Sequence, residues 1–153
     1  MPHLLYGGAT YRVAGGIPMK KKIHFCRYCN KELHDRHLIY CSITCQHQYQ
    51  YEQYISNWKA GKVSGLKGKY AVSGHIVRYL REKYDNKCSR CGWDRVNPIT
   101  NKVPVEVEHI DGNYLNNSED NLDLICPNCH SLTPTYRALN MGNGRKDRQK
   151  YNL

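Results

Sequence analysis

Apolar residues are thinly and unevenly spread along this chain, and their spacing predicts only a few short elements. Tyr51, Tyr54, Ile55 and Trp58 recur at helical intervals, and Ser42 stands where an N-cap belongs, so a helix is expected between them. Ile76, Leu80 and Tyr84 share one face of a second helix, expected from about Ser73 to Tyr84. Val103, Val105, Val107 and His109 have one parity and predict a strand over 103–109. Asp111-Gly112-Asn113 turns the chain, and Leu122, Leu124 and Ile125 form a second short strand. Pro127 fits the first position of a helix that should end near Thr133-Pro134. The C-terminal half therefore reads as strand, loop, strand, helix.

Two stretches carry no period. Residues 1–22 are read as a disordered or leader segment, with Met19 an alternative start to Met1. Residues 59–72 (KAGKVSGLKGKYAV) are rich in Gly and Lys and read as a basic linker. These breaks divide the chain into an N-terminal module over 23–58 and a C-terminal domain over 73–153 with a basic tail.

Composition explains how so sparse a pattern could fold. In 153 residues there is one Phe, and the mean hydropathy is strongly negative, which excludes a large hydrophobic core and calls for staples. The eight cysteines can supply them. They fall as Cys26/Cys29, Cys41/Cys45, Cys88/Cys91 and Cys126/Cys129, paired at spacings natural for tetrahedral zinc and awkward for a disulfide framework. Cys88, Cys91, Cys126 and Cys129 leave a zinc ion no open position, so that site is structural. Cys26, Cys29, Cys41 and Cys45 form a second structural set, with His24, His34, His37 and His47 as nearby substitutes. The first set of this module, followed by a helix that supplies the last ligands, has the pattern of a treble-clef finger. Free thiols of this kind imply a reducing, cytoplasmic setting, and no stretch approaches the length needed to span a membrane.

Charge then points to a partner. The formal net charge of +10 drops to about +6 once two tetrathiolate zinc sites are counted, and the protein stays basic, so a polyanion is the first partner to consider. The charges are segregated. Residues 59–90 hold nine Lys and Arg against Glu82 and Asp85, whereas 103–136 hold none against Glu106, Glu108, Asp111, Glu119, Asp120 and Asp123. An acidic island between basic arms suits a metal-dependent site acting on a phosphate-rich substrate.

The histidines sharpen this. His130 directly follows Cys129, and His109 ends the first strand of the predicted hairpin. Folding the hairpin onto the helix brings the two to opposite sides of a small cleft able to hold a hard divalent ion. His130 and an acid such as Glu108 are the expected ligands, and His109 the group that takes a proton from water. Neighbouring strand residues point to opposite faces, so Glu108 and His109 share a cleft only where the strand ends or bulges.

Val107-Glu-His-Ile-Asp-Gly-Asn113, then Asn121-Leu122, then Cys126-Pro-Asn-Cys-His130, resembles the HNH endonucleases, in particular the short zinc-stabilised, free-standing homing-type nucleases of phages and bacteria. The resemblance covers about 87–140. It implies an α+β fold built of small zinc-stabilised modules, with a C-terminal ββα-metal domain after the N-terminal treble-clef-like finger. It implies hydrolysis of DNA phosphodiesters with Mg²⁺ or Mn²⁺, by nicking or double-strand cutting. On its pattern His109 is the general base, Asn121 the middle asparagine that orients loop and base, and His130 a ligand of the catalytic ion. Glu108 stands where many relatives carry Asp. Lys62, Lys67, Lys69, Arg78, Arg81, Arg137, Arg145, Lys146 and Arg148 are the expected phosphate contacts on DNA. A monomer is the favoured state, in the cytoplasm of a bacterium or an infected host cell. Two rival readings stand beside this one: a zinc-dependent DNA-binding protein without catalysis, and a restriction or genome-processing nuclease of the same class.

Overall fold

The computed structural model describes residues 23–35 and 37–143. The leader segment over 1–22, with the choice between Met1 and Met19, and the basic residues Arg145, Lys146 and Arg148 lie outside the described residues. Among the described residues the architecture is a small α+β arrangement of three antiparallel two-stranded ribbons and three α-helices. β1 (His24–Phe25) pairs with β2 (Glu32–Leu33), and α1 (Ile43–Lys59) follows. β3 (Leu66–Lys67) pairs with β4 (Ala71–Val72), leading into α2 (Gly74–Lys83). β5 (Glu106–His109) pairs with β6 (Leu122–Ile125), and α3 (Pro127–Ser131) closes the order apart from single 3₁₀ turns at Glu119–Asn121 and Arg137–Asn140.

The helices begin where their caps are. Ser42 Oγ accepts from the Cys45 N–H at 3.2 Å, and Ser73 Oγ accepts from the His75 N–H at 3.3 Å, each satisfying a donor the helix itself leaves unpaired. Pro127 opens α3, where a missing N–H costs nothing. α1 buries only Tyr51 and Trp58, so its position is set by contacts with α2. The Tyr51 hydroxyl donates to Glu82, the Arg78 guanidinium lies 3.9 Å from the centre of the Tyr51 ring, and the Tyr54 and His75 rings are 4.8 Å apart.

One buried cluster joins Trp58 at the end of α1 to Ile76 and Leu80 of α2, Val103 and Val105, and Leu122, Leu124 and Ile125 of β6. Ile76, Leu80, Leu124 and Ile125 are fully excluded from solvent, each worth about 1.5–3 kcal/mol relative to exposure. Cys88 and Cys126 belong to the same cluster, so the sulfur clamp and the apolar core form one body.

Two expectations change. The stretch read as a basic linker over 59–72 contains the β3–β4 hairpin, with Leu66 opposite Val72 and Lys67 opposite Ala71. Strands of two residues are too short to leave a period in the sequence, and the turn depends on Gly68 at φ 62°. The strand predicted from Val103 begins only at Glu106. Val103 and Val105 are buried, but their carbonyls are taken by the Arg81 guanidinium, at 3.4 and 3.0 Å, instead of by a partner strand. No described helix is long and apolar enough to cross a membrane.

Candidate metal and catalytic site

The cysteines gather as their spacing predicts. The Sγ atoms of Cys26, Cys29, Cys41 and Cys45 all lie within 4.8 Å of one another, as do those of Cys88, Cys91, Cys126 and Cys129. Sulfur–sulfur separations of 3.5 Å (Cys29–Cys41), 3.4 Å (Cys41–Cys45) and 3.8 Å (Cys91–Cys126) are far longer than a disulfide. They are close to the spacing of about 3.8 Å that four ligands at zinc–thiolate distance impose. None of the nearby histidines joins either group among the described residues.

Both knuckles are built alike. The Cys26 N–H bonds the Lys31 carbonyl at 2.8 Å and the Cys26 carbonyl accepts from Asn30; the Cys88 N–H bonds the Trp93 carbonyl at 2.9 Å and the Cys88 carbonyl accepts from Gly92. Asn30 and Gly92 take the same left-handed backbone, φ 58° and 73°. The thiols themselves call for a cation. Burial opposes ionisation of Cys88, but the backbone amides of Cys126, Cys91 and Arg90 outweigh it and bring the thiol to about 6. Hydrogen bonding to the Cys91 sulfur and burial push Cys129 up to about 12. Cys26 and Cys41 repeat the split, at about 6 and about 12. Four sulfurs this close cannot all ionise without a cation among them, and zinc fits this donor set.

β6 runs through Cys126 directly into α3, so the sulfur clamp also sets His130, whose N–H bonds the Cys126 carbonyl at 2.9 Å. His130 Nε2 lies 3.1 Å from Glu108 Oε2, and its Nδ1 lies 3.4 Å from Glu106 Oε2. Glu108 is 8% exposed, and its other oxygen accepts from Thr135 Oγ1 at 2.8 Å. Tyr136 presses edge-on against the His130 ring with centroids 5.3 Å apart. A buried carboxylate held at one oxygen by a hydroxyl, with the other facing an imidazole nitrogen, offers two converging donors to a divalent ion. Among the described residues no third His, Cys, Asp or Glu completes a cluster with these two, and a hard ion commonly keeps water or phosphate in its remaining shell.

His109, last residue of β5, has a partner of its own. Its Nε2 lies 2.9 Å from Asn117 Oδ1, and no described contact links it to Glu108 or His130. Asn121 closes the loop between the strands: its carbonyl accepts from Ile110, its Oδ1 from the Asp111 N–H at 3.0 Å, and its Nδ2 donates to Asp111 Oδ1 and the Asn116 carbonyl, both at 2.8 Å. Against the cost of burial, the Asn116 and Asn121 amides and the Asn113 N–H hold the Asp111 carboxyl below its ordinary range. Asn121 therefore shapes the loop, while the side chain that meets His109 is Asn117. Nothing in the run Asn116-Asn117-Ser118 marks that residue beforehand.

Most of the acidic island is internally engaged. Glu119 meets Lys59, Lys83 and Tyr79, and Asp123 meets Arg90 and Ser89. Among the basic residues expected on DNA, Lys62 and Lys67 are exposed, and Lys69 lies 4.8 Å over the Tyr70 ring. Arg78 is engaged by Glu82, Gln48 and the Tyr51 ring, and Arg81 by Asn86 and the carbonyls of Val103 and Val105. Exposed Arg137 lies 5.0 Å over the Tyr136 ring, the same ring that abuts His130.

No family model and no solved structure matches the chain. Over 57 residues, 37% of its length, the chain is 49% identical to the H-N-H endonuclease F-TflIV of Escherichia phage T5, of which the matched stretch covers 24%. The chain thus spans about a quarter of that relative's length, and it is an H-N-H endonuclease that it is similar to there.

Proposed function

We propose that the protein is a metal-dependent DNA endonuclease of HNH type, with a ββα-metal site formed by β5, β6 and α3. The observation that carries this reading is the pairing of Glu108 Oε2 with His130 Nε2 at 3.1 Å, between a strand paired with β6 and a helix that carries Cys129 of the sulfur cluster. The phage relative named as an H-N-H endonuclease supports it.

Glu108 and His130 would hold the ion, and Thr135 would keep Glu108 turned toward it. When bound, Mg²⁺ or Mn²⁺ supplies charge stabilisation to the phosphate and the departing oxygen. His109 takes a proton from the attacking water as its oxygen bonds to phosphorus and an ester oxygen leaves. Asn121 holds the loop behind His109 in shape. Arg137 would meet a phosphate beside the site, and Lys62, Lys67 and Lys69 the backbone further along, giving salt-sensitive binding. We read the biology as that of a homing-type nuclease of a phage or bacterium, acting in the cytoplasm as a monomer that nicks.

The test is incubation of zinc-loaded protein with supercoiled plasmid, with and without Mg²⁺ or Mn²⁺, beside His109→Ala. Metal-dependent conversion to open circle, absent in the variant, is expected. Binding to DNA with no cleavage under any of these ions would favour a non-catalytic zinc module.

A further inference from the structure

Asn117 is 3% exposed, more deeply buried than the loop-closing Asn121 at 8%. Its amide has one possible orientation. Nδ2 donates to the carbonyls of Ser64 at 3.3 Å and Leu115 at 3.5 Å. Those carbonyls only accept, so the oxygen end of the amide faces His109. An amide oxygen likewise only accepts, so the contact of 2.9 Å requires a proton on His109 Nε2. The free lone pair of a neutral His109 is then on Nδ1.

The support for Asn117 comes from far along the chain. Trp58 Nε1–H, at the end of α1, donates to the Asn117 carbonyl at 2.6 Å. Gly65 lies so close that a Cβ there would meet Asn117 Cβ at 2.9 Å and Trp58 Nε1 at 3.2 Å. The backbone of Ser64 and Gly65 and the indole of Trp58 thus hold Asn117 from behind while its oxygen holds His109.

We infer that Asn117 is a positioning residue for the reaction, fixing His109 as the Nε2–H tautomer so that Nδ1 takes the proton from water, with Trp58 and the Ser64–Gly65 backbone as its mount. The role in the reaction rests on the endonuclease reading above; the tautomer does not. It makes the last turn of the N-terminal helix part of the apparatus that aims the base.

Nitrogen-15 NMR of imidazole-labelled, zinc-loaded protein under mildly alkaline conditions, with His109 assigned from the spectrum of His109→Ala, reads the tautomer without DNA. Wild type is expected to show His109 with its proton on Nε2, and Asn117→Ala a mixture of tautomers. In plasmid cleavage, Asn117→Ala is expected to lower kcat about ten- to hundredfold, with KM for DNA and bound zinc unchanged. Trp58→Phe, which keeps the ring but not the N–H, should lower kcat by less in the same way. A wild-type His109 protonated on Nδ1 would overturn the inference even if Asn117→Ala failed to fold. So would an Asn117→Ala enzyme with wild-type kcat. A wild type carrying the Nε2 proton but inactive on DNA would sink the endonuclease reading, and with it the role in the reaction, while leaving the orientation of the ring established.

Discussion

Glu108 and His130 meet at 3.1 Å because β5 pairs with β6, and β6 runs through Cys126 of the sulfur cluster into the helix that carries His130. The carboxylate is nearly buried, and Thr135 occupies its second oxygen, so its free oxygen has a single direction. That relationship makes the first prediction specific. Glu108→Gln keeps the shape and the hydrogen bond from Thr135 but removes the charge. We expect it to weaken Mn²⁺ binding, measured by titration calorimetry or electron paramagnetic resonance, by at least tenfold, and to lower plasmid cleavage about a hundredfold or more. Thr135→Val should do the same to a smaller degree, because the carboxylate is still present but no longer oriented. Unchanged Mn²⁺ affinity in Glu108→Gln would remove that residue from the ligand set.

Zinc removal should have a larger and different effect. Structural tetrathiolate sites bind with apparent free energies of about 10–16 kcal/mol, and here Cys88 and Cys126 belong to the main core. Chelation is therefore expected to unfold the C-terminal half, seen as loss of near-ultraviolet circular dichroism and of protection in hydrogen exchange. Cys126→Ser should abolish one zinc equivalent and that protection together. Cys29→Ser, in the exposed rim of the finger, should lose the other zinc equivalent and leave the β5–β6 core protected. Retention of two zinc ions by Cys126→Ser would contradict the assignment of ligands.

What could be read in advance was local. Ser42 and Ser73 mark helix starts through bonds made within a turn of themselves, Pro127 marks one by its fixed φ and missing N–H, and the cysteine spacings match the geometry that one tetrahedral ion would require. What could not be read was tertiary. Val103 and Val105 have the alternation of a strand, yet the partner of their carbonyls is an arginine on α2. Arg81 reads as a free cation for phosphate until that contact is seen. Glu108 and His130 could be paired from a motif, whereas the partner of His109 depends on how a polar loop packs against Trp58 and Ser64.

Glu119 gives a prediction with a defined sign in pH. It accepts from the Tyr79 hydroxyl and pairs with Lys83 at 2.9 Å and Lys59 at 3.3 Å, joining both long helices to the turn before β6. Burial raises its pKa, but Tyr79, Lys83 and Lys59 outweigh burial and bring it down to about 2. A carboxyl lowered on folding contributes stability that is complete above its unfolded value, about 4.3, and is lost as pH falls toward the folded one. With a quarter of the side chain in solvent, screening leaves about 1–2 kcal/mol. Glu119→Gln should lower stability to urea by that amount at neutral pH, and the gap from wild type at the same pH should narrow as both are acidified below about 4.5. A gap independent of pH would mean that the residue acts through packing alone.

Gly65 is where the hairpin, α1 and the β5–β6 loop crowd together. Its backbone has φ 76°, a conformation that costs a residue with a side chain about 1–2 kcal/mol. The space is also taken: a Cβ would sit 2.7 Å from Ile76 Cδ1 and 2.9 Å from Asn117 Cβ. Ile76 is fully buried and Asn117 nearly so, which leaves neither free to retreat. Overpacking adds about 1–3 kcal/mol, so Gly65→Ala should cost about 2–5 kcal/mol in urea unfolding. Gly61→Ala is the control, since its φ of 69° is equally left-handed but nothing lies within 4 Å of its Cβ; it should cost only the backbone share. Equal losses in the two variants would show that the close approach at Gly65 carries no weight.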